Sequence, residues 1–277
     1  MALLKLPKGQ PDFTSFAGLA VAAAGIIGGL LLEGGTLSDV TQVTAALIVL
    51  GGTVGAVMVT TPKYLLASAL KKLPTIFWQP ESSASSIIRQ IQIFAIKARR
   101  SGLISLDTEL DDIQDHCLRK ALMLAIDGTD LKEVRRLMEI EILATEQYGE
   151  AEAKVYESAG GYAPTVGIIG AVLGLIQVMK HLEDLEAVGH GIAIAFVATV
   201  YGVAFANLFL LPAANKLKAR LGRDLQMKEL TLEGVIAIAE GLHPRVIESK
   251  LEPFKQALGE PAVKQPRQSR VKARAAA

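Results

Sequence analysis

Residues 187–215, AVGHGIAIAFVATVYGVAFANLFLLPAAN, contain no Asp, Glu, Lys or Arg. A hydrocarbon core about 30 Å thick is crossed by roughly 20 apolar residues at about 1.5 Å rise each. This run of 29 exceeds that length. Three more charge-free runs precede it, at 13–32, 40–62 and 158–179, with 20, 23 and 22 residues. The chain of 277 residues is 51% hydrophobic but only 5% aromatic, so its apolar content is concentrated in aliphatic spans. The reading is an all-α integral membrane protein with four transmembrane helices in two hairpins and a helical cytoplasmic insertion. A soluble enzyme, a disulfide scaffold and a nucleic-acid-binding domain are excluded by the same pattern. Cys117 is the only cysteine and lacks metal-ligand spacing, so no metal site is expected.

Working outward from the spans, the charges set the topology. Of the 29 Lys and Arg, Lys5 and Lys8 precede the first span, 13 lie in 63–154 and 13 in 216–274. The short loops between paired spans carry Glu33 and Asp39, then Glu183, Asp184 and Glu186. By the positive-inside rule both termini and the long insertion are cytoplasmic. The domains expected are an N-terminal hairpin over 1–62 (spans about 13–32 and 41–61) and a helical head over 63–157. A second hairpin covers 158–215 (spans about 160–179 and 190–212), and a cytoplasmic helix with a basic disordered tail covers 216–277. A cleaved signal is not expected, because the first apolar run is long and a second span follows closely.

Glycines recur at helical spacing in three spans: Gly25 and Gly29, Gly51 and Gly55, then Gly167, Gly170 and Gly174. Lipid supplies no hydrophobic drive for helix association, so small residues that let backbones approach are the expected packing device, mainly within one subunit. No carboxylate is embedded in any span, and His190 stands near the outer end of the fourth. A protein that moves ions normally places an ionisable group on the path. This chain can line a pathway but needs its proton carrier from elsewhere. What remains polar in the third and fourth spans is Thr165, Gln177, Thr199, Tyr201 and Asn207, with Pro164 at the expected start of span three and Pro212 near the end of span four.

In the insertion, Ile87, Ile88, Ile91, Phe94, Ala95 and Ala98 recur at spacings of three and four, which predicts an amphipathic helix. Gly102 breaks it. Leu106, Leu110, Ile113 and Cys117 then continue a helical pattern opposite Asp107, Glu109, Asp111, Asp112 and Asp115. Asp127, Gly128 and Thr129 mark a turn, and Asp130 with Glu133 three positions on reads as a capping box. Basic residues before Gly102 and acidic ones after it suit electrostatic docking on a charged partner. No phosphate loop, zinc motif or nucleophilic triad is present, so the chain is not expected to be an enzyme.

Four passages resemble the MotA (PomA) family of flagellar motor stator proteins, within the wider MotA/TolQ/ExbB proton channel family. They are 163–176 (APTVGIIGAVLGLI), Thr199-Val200-Tyr201-Gly202 through Ala206-Asn207 to Pro212, Ala98–Leu103 with Leu106-Asp107, and Gly241–Arg245 with Ile247-Glu248. The resemblance covers roughly 12–258. It implies several copies of this chain, a homo-oligomer, around the helices of a MotB-type single-span, peptidoglycan-binding subunit that supplies the membrane carboxylate. It implies no cofactor and no nucleic acid, and a place in the bacterial inner membrane. Pro164, Ala171, Thr199, Tyr201 and Pro212 would serve the ion pathway and its coupling to the head. Arg99 or Arg100, and Asp107, would face the rotor protein FliG. Two positions depart from the family pattern: Asp107 where Glu is commoner and His243 where Asn is commoner. Alanine at 171, where sodium-type members carry Thr, points to H+ as the transported ion; Thr199 matches a hydroxyl position of those members and keeps Na+ as the alternative. An ExbB- or TolQ-type energiser of periplasmic or outer-membrane transport is the rival function, and a membrane scaffold without ion flow a third.

Overall fold

A computed structural model describes residues 9–80 and 83–260. The expected basic tail residues Lys264, Arg267, Arg270, Lys272 and Arg274, like Lys5 and Lys8, lie outside the described residues. The architecture is helical: α1 (Phe13–Leu32), α2 (Val43–Thr60), α3 (Lys63–Lys72), α4 (Ala84–Ser101), α5 (His116–Ile126), α6 (Leu131–Lys180), α7 (Leu185–Phe205), α8 (Leu211–Ala239) and α9 (Pro244–Ala257). Four of these, α1, α2, α6 and the α7–α8 run, are long and apolar enough to cross a membrane. One pairing escapes the sequence pattern: β1 (Gly9–Pro11) lies antiparallel to β2 (Trp78–Pro80), with Gln10 opposite Gln79. Strands this short, each containing a proline, carry no periodic signal.

The chain forms two units, residues 9–80 with 144–222, and 83–143 with 223–260. The first holds the spans. Asp12 ends the strand, accepts from Thr14 Oγ1 at 2.6 Å and from the Ser15 backbone, and so caps α1. Its carboxylate is buried and paired with Lys216 Nζ; that hydrogen bond and the one from Thr14 hold the carboxyl well below the usual carboxylate range. Beyond this cap, α1 buries none of its residues in the unit. By contrast α3 is tied to α6: Ser68 Oγ and Lys72 Nζ meet the buried Glu152 carboxylate, and Tyr156 donates to the Ala69 carbonyl at 2.9 Å. Those polar contacts rest on an apolar layer including Ile76, Ala153, Leu210 and Ala214.

The second unit is a helical head. The apolar face of α4 and the buried sides of α5, α8 and α9 share one core in which Ile91, Leu118, Leu122, Leu230, Ile247 and Leu251 are fully covered. Gly234 admits the Ile91 side chain, so any larger residue there displaces a central core group. Glu233 accepts from Arg135 at 2.5 Å and pairs with Lys250 at 2.7 Å, joining three helices around one carboxylate. Burial pushes that carboxyl up, and the two cations outweigh it, so it lies below its ordinary value. The helix expected after Gly102 is instead a 3₁₀ segment, Leu103–Asp112, which still buries Leu106 and Leu110. Its acidic side chains stay outward, and a true helix restarts only at Asp115, whose carboxylate caps α5 through the Leu118 N–H at 2.7 Å. Asp130 caps α6 as expected, accepting from the Lys132 N–H at 2.9 Å. At the other end Glu260 completes the start of α4. It accepts from the Ala84 and Ser85 N–H groups at 2.6 and 3.0 Å and from the Ser83 and Ser85 hydroxyls.

Candidate functional site

In the span unit α6 and α7 approach backbone to backbone, and glycine is the reason. A Cβ built on Gly167 would lie 2.9 Å from the Ala198 carbonyl oxygen, and on Gly174 2.8 Å from both the Ala195 nitrogen and the Gly191 oxygen. On Gly202 it would meet the Ala163 oxygen at 2.5 Å. Real Cβ atoms do not sit this close to a backbone, so these positions admit no side chain without separating the helices. Lipid offers nothing to compensate such a separation, because association here depends on packing alone. Gly25, Gly29, Gly51 and Gly55 are different. A Cβ on any of them meets nothing within 4 Å, so the expected packing inside one subunit holds for the second hairpin and not for those pairs.

Both prolines flank this clamp, in different settings. Pro164 does not start a helix as expected; it lies within the continuous α6. Its missing N–H leaves the Gly160 carbonyl without its helical donor, and its ring crowds that carbonyl. A Cβ on Gly160 would lie 2.6 Å from Leu211 Cδ2, so the weakened turn is pressed against the start of α8. Pro212 follows one turn of π-helix, Ala206–Leu210, in which the Leu211 N–H reaches back to the Ala206 carbonyl. In a regular helix the Pro212 ring would strike the carbonyl four residues back, and the wider turn stands immediately before it. Asn207 completes it, donating its side-chain amide to the Val203 carbonyl at 2.9 Å.

The remaining span candidates are distributed around this crossing. Ala171 is half-buried on α6 and brings only a methyl group. Thr199, half-buried on α7, donates its hydroxyl to the Ala195 carbonyl at 3.2 Å. The Tyr201 hydroxyl donates to the Val40 carbonyl at 2.5 Å and accepts from the Gln42 N–H at 3.2 Å, pinning the entry to α2 against α7. His190 is exposed near the start of α7. Among the described residues no group of His, Cys, Asp and Glu is arranged to hold a metal ion.

Comparison with known proteins decides the family. Residues 109–229 match the MotA/TolQ/ExbB proton channel family, and residues 16–100 match the motility protein A N-terminal model. Motility protein A of Bacillus subtilis is 35% identical over 245 residues, covering 87% of this chain and 89% of that protein. The chain belongs to the motility protein A family. Among solved structures, C. jejuni MotAB superposes with a TM-score of 0.85 at 32% identity, covering 94% of this chain and 99% of that one. The flagellar MotAB stator complex of Bacillus subtilis gives 0.82 at 34% identity, covering 87% and 94%.

In this MotA-family chain the candidate rotor charges lie in the head. Arg99 and Arg100 are exposed in the last turn of α4, and Asp107 is exposed on the 3₁₀ segment. Gly102, at φ +82°, makes the turn between them, a conformation that L side chains rarely adopt. Neighbouring charges are engaged: Lys97 pairs with Glu109 at 2.5 Å and Arg119 with Asp111 at 2.9 Å. Arg99, Arg100 and Asp107 make no ion pair with another described residue. His243, the departure from the commoner Asn, caps α9 by accepting from the Arg245 N–H at 3.2 Å. A ring nitrogen there takes the hydrogen bond that an Asn oxygen would.

Two contacts of this region were not legible in the sequence. Asn207 was visible as a polar residue in an apolar run and in the passage that resembles the family, but its bond to the Val203 carbonyl was not. The Asp12–Lys216 pair joins residues 204 apart. Its only trace in the sequence is that each is the charged residue bounding a span.

Proposed function

We propose that this chain is the ion-conducting, torque-generating subunit of a flagellar motor stator, working with a MotB-type single-span partner in the bacterial inner membrane. One observation carries the reading: in a MotA-family chain, the second hairpin is clamped backbone to backbone yet offers no Asp, Glu, Lys or Arg within its spans. A path along it therefore takes its titratable carboxylate from the partner. Several copies surround the partner helices, with both termini and the head cytoplasmic. Protonation of the partner carboxylate changes the local charge against α6 and α7. The turns weakened at Pro164 and widened before Pro212 are where those helices bend in response. The free charges Arg99, Arg100 and Asp107 meet the rotor protein FliG, and the chain performs no covalent chemistry.

Proton drive is the ion assignment, since Ala171 has no side-chain oxygen to replace a hydration oxygen of sodium; the Thr199 hydroxyl donates to the Ala195 carbonyl and keeps its lone pairs, which makes sodium the alternative. Deletion of the gene in its host, scored for filaments and swimming in the same cells, tests the function. Assembled but paralysed or weakened flagella, restored by the wild-type gene, are expected. Normal swimming in a host shown to lack a second stator set overturns the reading in favour of an ExbB- or TolQ-type energiser. Swimming that stops when sodium is withdrawn, and persists when the proton gradient is collapsed, overturns the ion assignment.

A further inference from the structure

A cavity of about 300 Å³ lies in the span unit between α1 and the π-turn and start of α8. Its wall is apolar, from Leu19, Ala22, Leu208 and Phe209, and its polar end carries Thr14, Ser15 and Lys216. Gly18 makes the room: it lines the cavity, and a Cβ there would meet nothing within 4 Å. We propose that this cavity is a specific site for an anionic glycerophospholipid, one acyl chain entering along α1 and the phosphate resting at Lys216.

Three observations select that occupant. The polar end is at interface depth, because Asp12 and Lys216 are the charged residues bounding the charge-free runs 13–32 and 187–215. The charge there is unbalanced: Lys216 Nζ pairs with the Asp12 carboxylate, and Arg220 Nη2 lies 4.0 Å from the same carboxylate, so two cations face one anion. That surplus suits a phosphate: the Thr14 and Ser15 hydroxyls at the same end already donate to Asp12, while Lys216 spends two of its three N–H donors on Asp12 and Ser15 and keeps one for the ligand. Finally, the space is far too small for a helix about 10 Å across, sits at the lower end of ligand pockets, and borders α1, which buries none of its residues.

The test uses the full-length protein with its partner subunit, purified and reconstituted in phosphatidylcholine vesicles doped with a photoactivatable analogue of phosphatidylglycerol or of phosphatidylcholine. The wild type is expected to label at residues 18–22 and 208–213, with phosphatidylglycerol favoured about fivefold, the gain typical of one interfacial cation. Gly18→Leu fills the cavity while leaving the Asp12–Lys216 pair in place, and labelling at those residues is expected to be lost for both lipids. Lys216→Gln keeps a donor for Asp12 and is expected to equalise the two lipids. Labelling of wild type without preference between the lipids, labelling unchanged in Gly18→Leu, or no labelling because a second copy covers the site would each overturn the proposal. The readout is labelling, not motility, so it stands or falls apart from the motor assignment.

Discussion

The two hairpins are built from the same material and held differently. Both are rich in Gly, Ala and aliphatic residues with glycines at helical spacing. In the second, Gly167, Gly174 and Gly202 let α6 and α7 touch at the backbone; in the first, Gly25, Gly29, Gly51 and Gly55 face open space. Only Gly52 of α2 is in close contact, with Val166 of α6. The difference teaches that a small-residue face is a capacity for close packing, and that the partner decides whether it is used. A clamped hairpin with a proline beside the clamp on each helix can transmit a change at one residue to the next. The first hairpin is held mainly through α2, by Gly52 against Val166 and by the Tyr201 hydroxyl at its entry, while α1 buries none of its residues.

The largest expected break in this comparison is Gly202→Val. The Ala163 carbonyl cannot yield as a flexible side chain would, so the cost is at the upper end of overpacking, about 3 kcal/mol or more. Immunoblots of membranes should show the protein depleted, and swimming should be lost. Next is Pro164→Leu, which restores a donor to Gly160 and stiffens α6. Protein level should hold while rotation of tethered cells is lost or nearly so; near-normal rotation would refute the coupling role. Asn207→Ala leaves the Val203 carbonyl without its side-chain donor, a loss of about 1 kcal/mol. Amide exchange across 203–211 should quicken, with motility reduced rather than lost. The mildest effect is expected at the head, where Arg99→Glu and Arg100→Glu act on exposed charges. Their torque defect should be larger at low than at high ionic strength, because exposed charges are screened over about 10 Å at 0.1 M salt. Unchanged torque in both reversals would mark these residues as a solvated face.

Much of the fold was legible because lipid allows few solutions. Runs free of charge and of spanning length have to be helices there, and all four appear as such. The head helices α4, α5 and α9 were legible where an apolar stripe faces one core. Past Gly102 the apolar spacing misled: Leu106 and Leu110, four apart, suit an α-helical face, yet both are buried from a 3₁₀ segment. Pro164 read as a helix start because proline is best tolerated there, yet α6 runs through it without a break. For the site, Pro164, Pro212, Thr199 and Tyr201 were visible as interruptions of an apolar pattern. Their partners were not, since the bonds from Tyr201 to Val40 and from Lys216 to Asp12 span 161 and 204 residues. Nor could spacing tell Gly174, which is clamped, from Gly29, which is not.

The most direct measurement is therefore a matched pair, Gly174→Ala and Gly29→Ala, each complementing the deletion strain and each compared with wild type for single-motor rotation speed at equal membrane content. One added methyl group on Gly174 meets the Ala195 nitrogen and Gly191 oxygen at 2.8 Å, while on Gly29 it meets nothing. Expected is wild-type rotation for Gly29→Ala and strongly slowed or absent rotation for Gly174→Ala. Equal rotation of the two variants would contradict the assignment of the second hairpin as the clamped, working part of the molecule.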